Sequence, residues 1–288
     1  MNETIVILGG AGFLGRAIGG CLRSGGKRVL CADVRPPEGA DILFLMTDVL
    51  HLGDVKNACE SADIVVNCTG QVTSPLTSSL RVNSVGTINI ARACRDLSKK
   101  LVHFSSVAVY GTADVVDEYS PLNPETAYAA CKSAAELILQ ELVAPSFLTI
   151  FRTSNLYGPG QQRGVIAYLL RSAASQERLC FNNDGTLTRF YLHSLDCAEA
   201  VERFIGIGTP PGIFNLAGAS SKSIRQIIAL VEKIAGIRFE ADFASLPPHE
   251  NIRELSGEKL SRLIGSVSRR EIEEYLKFTL GQERKSHE

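Results

Sequence analysis

The fold of this chain is decided by the stretch Ile5-Val6-Ile7-Leu8-Gly9-Gly10-Ala11-Gly12-Phe13-Leu14-Gly15. Its first four residues are large and apolar, and three of them are β-branched, which predicts a strand. Glycines then recur at every third position and predict a tight turn into a helix, because the backbone must bend sharply there without side chains in the way. The free N–H groups at the start of such a helix bind a phosphate anion.

The second apolar run, Val29-Leu30-Cys31-Ala32-Asp33, ends in a carboxylate that lies 18 residues beyond Gly15. A carboxylate near this offset hydrogen-bonds the adenosine ribose of a bound dinucleotide. Because it would repel the 2′-phosphate of NADP, the sequence favours NAD. Arg35 would offer that phosphate a cation, so NADP stays open as an alternative. In the plainer interpretation, the glycines only build a turn and Asp33 only caps a helix.

Strand-like and helix-like segments alternate over the first half of the chain. This alternation predicts an α/β fold with a doubly wound parallel sheet, the Rossmann fold, and we assign residues 1–155 to this NAD-binding domain. After residue 155 the pattern loosens into Gly/Pro turns and widely spaced helices. We therefore predict that residues 156–288 mainly form a smaller C-terminal α/β substrate lobe, with some segments returning to the first domain.

Composition excludes several classes of function. Hydrophobic residues make up 45% and charged residues 21% of the 288 residues, as in ordinary globular proteins. The net charge of −1 provides no broad basic field, so we expect neither nucleic acid nor a membrane as a partner. No apolar stretch approaches the roughly 18 residues of a membrane span, and the start of the chain lacks a leader pattern, so a cytoplasmic location is expected. The eight cysteines contain no C-x-x-C pair, and no metal site is predicted.

Three polar residues form a coherent chemical set. Tyr128 and Lys132 lie four residues apart, on one face of a predicted helix, and Ser106 follows a predicted strand at the sheet edge where doubly wound folds bind ligands. An ammonium group beside a phenol lowers the phenol pKa from about 10 toward neutral pH, and a serine hydroxyl can hold the reacting oxygen. Alternatively, Tyr128 and Lys132 are a solvated helix pair and Ser106 is a turn residue.

With these segments in order, the sequence resembles the extended short-chain dehydrogenase/reductase family, in particular its nucleotide-sugar epimerase/dehydratase branch. The resemblance covers nearly the whole chain. Besides the residues above, it rests on Asp48-Val49, Asn67-Cys68-Thr69-Gly70, Asn83, and the segment 151–160. It implies an enzyme in which the cofactor NAD accepts hydride and the protein positions and polarises the substrate.

The resemblance also implies a role for each matching position. Tyr128 would take a proton from a sugar hydroxyl, with Ser106 hydrogen-bonded to the same oxygen, so that Ser106, Tyr128 and Lys132 would be the catalytic residues. The residues implied to bind NAD are Gly9, Gly12, Phe13, Leu14, Asp33, Asp48, Val49, Thr69, Gly70, Asn83, Tyr128 and Lys132. Those implied to bind a nucleotide-diphosphate sugar are Ser106, Asn155, Arg189 and Arg253.

The identity of two residues bears on the reaction. Family dehydratases and decarboxylases carry acidic side chains where this chain has Val107 and Ala108, which cannot transfer protons. We therefore expect 4-epimerisation of the sugar with bound NAD. The alternative is an NAD(P)-dependent 4-keto-6-deoxy nucleotide-sugar reductase or dehydrogenase, and a third hypothesis is a catalytically silent dinucleotide-binding sensor. The resemblance further implies a homodimer formed through helices near residues 82–97 and 128–143, and a role in polysaccharide biosynthesis.

Overall fold

The computed structural model describes residues 3–39, 42–70, 74–175, 177–218, 221–246 and 249–285. Its strands, in chain order, are β1 (Thr4–Leu8), β2 (Arg28–Asp33), β3 (Leu43–Met46), β4 (Ile64–Asn67), β5 (Lys100–Ser106), β6 (Ala113–Val116), β7 (Leu148–Thr153), β8 (Asn155–Tyr157), β9 (Leu179–Phe181), β10 (Thr188–His193), β11 (Gly212–Leu216), β12 (Ser221–Ser223), β13 (Ala241–Phe243) and β14 (Ile252–Leu255).

The α-helices are α1 (Phe13–Ser24), α2 (Leu52–Glu60), α3 (Leu76–Arg81), α4 (Thr87–Asp96), α5 (Ala127–Leu142), α6 (Val165–Ser175), α7 (Ser194–Gly206), α8 (Ile224–Ala235), α9 (Glu258–Ile264) and α10 (Ile272–Lys285). A π-helical turn, Val82–Gly86, joins α3 to α4. The helix expected from residue 82 onward therefore begins earlier and contains this wider turn.

The largest sheet follows the order β11-β7-β5-β4-β1-β2-β3, and all of its neighbouring strands are parallel. The strand order reverses beside β1, so the carboxyl ends of β1 and β4 flank the crevice where open α/β sheets bind ligands. This arrangement confirms the predicted doubly wound α/β fold. Among the helices that the structure describes, none is long and apolar enough to cross a membrane.

Alternation along β1 divides the core into two layers. Ile5 and Ile7 pack on one face of the sheet with α1, α7 and α9, whereas Val6 and Leu8 pack on the other face with α2, α4 and α5. Successive strand side chains point to opposite faces, so a strand that is apolar throughout must be covered on both sides. Helices on both faces provide that cover.

The later part of the chain contributes to two regions. A separate apolar core packs α6, α8 and α10 beside β8 and β10. The strand β11 pairs with β7 in the large sheet, and α7 packs against α1. Segments beyond residue 155 therefore extend and cover the seven-stranded sheet. The division into domains at that residue stays a prediction.

A buried ion pair attaches α5 to the sheet. The Arg152 guanidinium on β7 binds both carboxylate oxygens of Glu136, with Nη2···Oε2 at 2.7 Å, and the two side chains are 4% and 0% exposed. The Ser105 hydroxyl donates to the same carboxylate, and Arg152 also donates to the Tyr110 hydroxyl at 2.9 Å. The helix is therefore held against β5 and β7 at one defined rotation.

Replacing Glu136 with Gln leaves the Arg152 charge buried without a counter-charge, and we expect a loss of about 3–5 kcal/mol in the free energy of unfolding. The matched control, Glu258→Gln, breaks the exposed ion pair between Arg262 and Glu258. It should change the free energy of unfolding by less than about 1 kcal/mol. Denaturant unfolding followed by circular dichroism measures both. Equal losses in the two variants would contradict the anchoring role of Glu136.

Candidate active site

The glycine turn follows β1 directly and caps α1. Gly9 has φ +78° and its N–H donates to the Ala32 carbonyl at 2.8 Å, while Gly12 is the N-cap of α1. The first helical hydrogen bond runs from the Arg16 N–H to the Gly12 carbonyl, so the N–H groups of the first turn have no partner within the helix. These N–H groups provide an anion site at the sheet edge.

The third glycine of the motif is required by close packing. A Cβ at Gly15 would lie 2.3 Å from the Gly9 carbonyl oxygen, which no side chain can tolerate. The helix therefore reaches the turn only because Gly15 lacks a side chain. A cleft of about 860 Å³ begins at this turn and extends past β4 and β5 to the second lobe. The turn and the cleft together fit a dinucleotide.

Asp33 stands at the end of β2, beside the turn. Its carboxylate accepts hydrogen bonds from the N–H groups of Ala11, at 3.0 Å, and Arg35, at 3.3 Å. Arg16, Arg35 and Glu38 line the same end of the cleft, and Arg16 pairs with Glu38 at 3.1 Å. The adenosine end therefore offers one fixed carboxylate together with two guanidinium groups.

The predicted cofactor residues fall into two groups. Gly9, Gly12, Phe13, Leu14, Asp33, Thr69, Tyr128 and Lys132 line the cleft. The described lining does not include Asp48, Val49, Gly70 or Asn83. These four instead shape its surrounding loops: the Asn83 amide donates to the Gly70 carbonyl at 2.9 Å, the Asp48 carboxylate accepts from the Leu50 N–H, and the Val49 carbonyl accepts from Asn89.

Ser106, Tyr128 and Lys132 come together at the carboxyl ends of the strands. Ser106 is the last residue of β5, and α5 begins at the Thr126 cap so that Tyr128 lies in its first turn. Lys132 is 2% exposed, and its Nζ donates to the carbonyls of Phe104, at 2.9 Å, and Thr69, at 3.3 Å. All three side chains line the cleft.

Burial controls the charges in this group. It raises the pKa of Tyr128 to about 12, and a hydrogen bond with Ser106 acts in the opposite direction. Burial also lowers the pKa of Lys132 to about 8, against the attraction of the Cys68 thiol and the Glu136 carboxylate. Without a ligand, Tyr128 is therefore a neutral phenol, and Lys132 carries an ammonium group that can lose its proton near physiological pH. The lowering of the phenol pKa that the sequence predicts from the lysine is not found, because burial is the largest influence on Tyr128 and Lys132 is not among the groups that shift its pKa.

Besides Ser106, three substrate residues were predicted, and they have different surroundings. Asn155, at the start of β8, lines the cleft. Arg189 is largely buried outside the cleft lining and pairs with Glu250 at 3.1 Å. Arg253, on β14, is 76% exposed and pairs with Asp114 on β6. The structure therefore brings Asn155 to the cleft and does not bring Arg253 there.

Several lining residues were not found by the analysis of the sequence. Arg16 projects from the second turn of α1, Arg163 and Gly164 precede α6, and Tyr191 lies on β10. Arg16 directly follows the glycine motif, and Tyr191 lies two residues beyond Arg189, so both lie next to predicted site residues. Arg163 and Gly164 had none, because their position depends on how the second lobe packs.

The comparisons with known proteins identify the family. Residues 5–217 match the NAD-dependent epimerase/dehydratase family, and the chain belongs to it. Its members are nucleotide-sugar epimerases, dehydratases and reductases of the extended short-chain dehydrogenase/reductase type, so the chain is an enzyme of this class and NAD is the family cofactor.

Relatives with different activities match the chain comparably well. It is 28% identical over 244 residues to dTDP-D-glucose 4,6-dehydratase of Mus musculus, covering 76% of this chain and 68% of the relative. It is 28% identical to dTDP-4-dehydrorhamnose reductase of Mycolicibacterium smegmatis, with coverages of 77% and 66%. The chain thus matches about two thirds of each relative. The UDP-glucose 4-epimerase structure of Thermus thermophilus in complex with NAD has a TM-score of 0.83 at 24% identity, over 98% and 99% of the two chains, and shares the fold.

Gly15→Ala should reduce NAD affinity at least tenfold and lower the free energy of unfolding, because the new Cβ pushes α1 away from the turn. Gly20→Ala in the same helix is the matched control, since its Cβ would meet no atom within 4 Å. The Gly20→Ala variant should keep the NAD affinity of the wild type, and its free energy of unfolding should rise by up to about 1 kcal/mol because alanine has a higher helix propensity than glycine. Calorimetric titration with NAD and denaturant unfolding measure the two quantities for both variants. A Gly15→Ala protein with unchanged NAD affinity and an unchanged free energy of unfolding would refute the packing argument.

The Lys132 pKa predicts how stability depends on pH. Between about pH 8 and the ordinary value of 10.5, the folded protein releases the Lys132 proton while the unfolded chain keeps it. The wild type should therefore gain stability relative to Lys132→Met as pH rises through this range. Unfolding curves of both proteins from pH 7 to 10 measure the difference. A constant difference would mean that the lysine is not desolvated.

Proposed function

We propose that this chain is an NAD-dependent epimerase that inverts C4 of a nucleotide-diphosphate sugar through a transient keto sugar. The observation that carries the proposal is the set Ser106, Tyr128 and Lys132 at the sheet edge, without a carboxylate or an imidazole at that end of the described cleft lining. Removing and returning hydride at one carbon requires only one proton relay, and this set is sufficient for it.

Elimination of water would require an additional acid and base. Val107 and Ala108 occupy the positions where family dehydratases carry acidic residues, and both are aliphatic. The carboxylates among the described lining residues are Asp33 and Glu38, which stand at the glycine-turn end. Glu250 interacts electrostatically with Tyr128, but its carboxylate is engaged by Arg189 and the Thr126 hydroxyl. This distribution of carboxylates favours epimerisation over dehydration.

The proposed mechanism assigns one step to each side chain. Tyr128 takes the proton of the 4-hydroxyl and later returns it, while the Ser106 hydroxyl holds the same oxygen. The Lys132 ammonium, held by two backbone carbonyls, lowers the free energy of the Tyr128 phenolate. NAD, when bound, supplies the hydride acceptor and carries a positive charge that further favours the phenolate. The protein otherwise orients the sugar ring.

We propose that the substrate diphosphate is bound by Asn155 together with Arg189, with Arg253 retained as a candidate for the nucleotide end. Arg189 would have to exchange Glu250 for phosphate, which forms a bidentate pair with the same guanidinium geometry. Asp48, Val49, Gly70 and Asn83 are proposed to support NAD through the loops they hold. The setting would be the cytoplasm and, by family analogy, polysaccharide biosynthesis.

A homodimer is part of the proposal. The two predicted helices are α4 with the π-helical turn before it, and α5, and they contact one another. Val85 and Leu137 on these segments, and Leu76 and Leu80 on the adjoining α3, expose large apolar side chains. Contiguous exposed apolar side chains are typical of an interaction surface. A second copy of the chain would cover them through the same two helices.

The second candidate is a 4-keto-6-deoxy nucleotide-sugar reductase that uses NADPH. The observation in its favour is the pair Arg16 and Arg35 at the adenosine end of the cleft, because two guanidinium groups could bind a 2′-phosphate beside Asp33. Such a reductase would consume its cofactor stoichiometrically, whereas an epimerase regenerates it in each turnover.

The test begins by denaturing the purified protein and quantifying any released dinucleotide. We expect NAD in stoichiometric amounts, and with a panel of UDP-, dTDP- and GDP-sugars we expect the C4 stereoisomer without net formation of NADH. Tyr128→Phe should lower turnover at least about 100-fold because it removes the proton relay. Tyr119→Phe, at an exposed tyrosine, is the matched control and should retain activity.

Three results would contradict the epimerase. Preferential binding of NADPH together with net cofactor consumption would identify the reductase. An accumulating keto or unsaturated sugar would identify a dehydrogenase or dehydratase. Dinucleotide binding without turnover of any sugar nucleotide in the panel, unchanged in Tyr128→Phe, would remove the proposed catalytic role and favour a protein that only binds the dinucleotide.

A further inference from the structure

His103 is a buried histidine whose tautomer is fixed by its neighbours. It lies on β5, is 1% exposed, and its Nδ1 is 2.9 Å from the side-chain nitrogen of Asn67 at the end of β4. The orientation of the Asn67 amide is defined, because its oxygen accepts from the Thr69 N–H at 3.0 Å and from the Thr69 hydroxyl at 2.6 Å. The amide nitrogen therefore donates to Nδ1, and the proton of the imidazole ring is on Nε2.

The surroundings of His103 keep the imidazole neutral. Burial holds its pKa well below the ordinary range, and the positive charge of Lys132 acts in the same direction. The Nε2–H group is buried too, and it has no hydrogen-bond partner in the part of the chain that the structure describes. An unpaired buried donor destabilises a folded protein, so this side chain contributes to the structure through Nδ1.

A series of hydrogen bonds leads from Nδ1 to the candidate catalytic lysine. The His103 Nδ1 holds the Asn67 amide, and the Asn67 oxygen holds both donors of Thr69. The Thr69 carbonyl in turn accepts from the Lys132 Nζ at 3.3 Å. The other carbonyl that binds Nζ, at 2.9 Å, belongs to Phe104, which directly follows His103 on β5. Both carbonyls that hold the ammonium group therefore depend on backbone close to His103.

The strand register places His103 on the side of the sheet that α5 covers. Asn67 and His103 are direct partners across β4 and β5. His103 and Ser105 lie two positions apart on β5 and point to the same face, and Ser105 donates to Glu136 on α5. The imidazole therefore lies below the helix that carries Lys132.

We propose that His103 is a positioning residue for Lys132: its Nδ1 fixes the Asn67 amide, which holds Thr69 so that the Thr69 carbonyl binds the ammonium group. The inference rests on the proposed function, which gives Lys132 its role beside Tyr128. It adds a residue outside the cleft lining to the site, because the imidazole acts only through Asn67 and Thr69.

The tautomer is tested first, by NMR of the full-length protein labelled with ¹⁵N-histidine. We expect an unprotonated Nδ1 and a protonated Nε2 for His103 at neutral pH, with the signal assigned by its absence from His103→Leu. A proton on Nδ1 would contradict the direction of the hydrogen bond with Asn67 and overturn the inference.

Two variants of His103 test the effect on Lys132. In His103→Leu the Asn67 amide loses its acceptor, Thr69 is no longer held, and the ammonium group loses a carbonyl that favours its charged form. We expect the Lys132 pKa to fall from about 8 by about 0.5 to 1. His103→Asn places its Oδ1 where Nδ1 stands, so it should restore the wild-type pKa.

The pKa is measured by NMR of ¹³C-lysine, with the Lys132 signal assigned by its absence from Lys132→Met. The other groups that act on the Lys132 pKa are Cys68, Cys131 and Glu136, and both His103 variants leave them unchanged. Stability should follow the opposite order, because His103→Asn buries an unpaired amide nitrogen and His103→Leu does not. A merely structural role of His103 would make the Lys132 pKa follow the Tm.

Thr149→Val is the matched control, since it removes another buried hydrogen bond of the same sheet, from the Thr149 hydroxyl to the Pro210 carbonyl at 2.9 Å. It should lower the Tm and leave the Lys132 pKa unchanged. With the sugar nucleotide that the wild type converts, we expect kcat to fall about 3- to 10-fold in His103→Leu and to recover in His103→Asn.

The measurements separate this inference from the proposed function. An unchanged Lys132 pKa in His103→Leu, or a pKa that His103→Asn does not restore, overturns the inference whether or not the chain is an epimerase. A pKa that falls and is restored as expected supports the inference. If turnover stays constant across these variants, or if the wild type converts no sugar nucleotide, the role of Lys132 in the proposed function is contradicted and its positioning by His103 is not.

Discussion

The pair of Glu136 and Arg152 is the interaction on which the geometry of the site depends. It lies directly behind the candidate catalytic residues: Ser105, which donates to Glu136, precedes Ser106, and Glu136 follows Lys132 by one helical turn. A fully buried charge pair has few alternative arrangements, because any shift that separates the two ions leaves both desolvated. The pair therefore sets the rotation and height of α5, and so the positions of Tyr128 and Lys132 relative to β5.

Charge is distributed unevenly along the cleft, and this distribution gives its two ends different chemistry. The glycine-turn end holds Asp33 and Glu38 with two arginines, whereas the end near Ser106 contains a neutral phenol and a desolvated ammonium group. Lys132 donates to the carbonyls of Thr69, two residues beyond β4, and of Phe104 on β5, and these hydrogen bonds allow a cation to be buried there. A site of this kind stabilises one oxyanion and provides little else for proton transfer.

The motifs that the sequence analysis located correctly are local. The glycine turn, Asp33 after β2, and the four-residue spacing of Tyr128 and Lys132 each depend on a single element or a single junction. Periodicity likewise predicted the parallel sheet, because Ile5 to Leu8 must be covered on both faces. In contrast, the π-helical turn that places Asn83 against Gly70 has no local signature and was taken as ordinary helix.

By itself, the sequence determined the class of fold and the glycine turn, and it predicted the set Ser106, Tyr128 and Lys132, since these follow from short-range backbone geometry and residue chemistry. Only the tertiary structure decided which polar groups share the cleft. It paired Arg189 with Glu250 and left Arg253 with Asp114 at the surface, and it buried the Tyr191 hydroxyl without a hydrogen-bond partner among the described residues. These two pairings join residues 61 and 139 positions apart, and they depend on how the second lobe packs on the first. No spacing within one strand or helix encodes that packing.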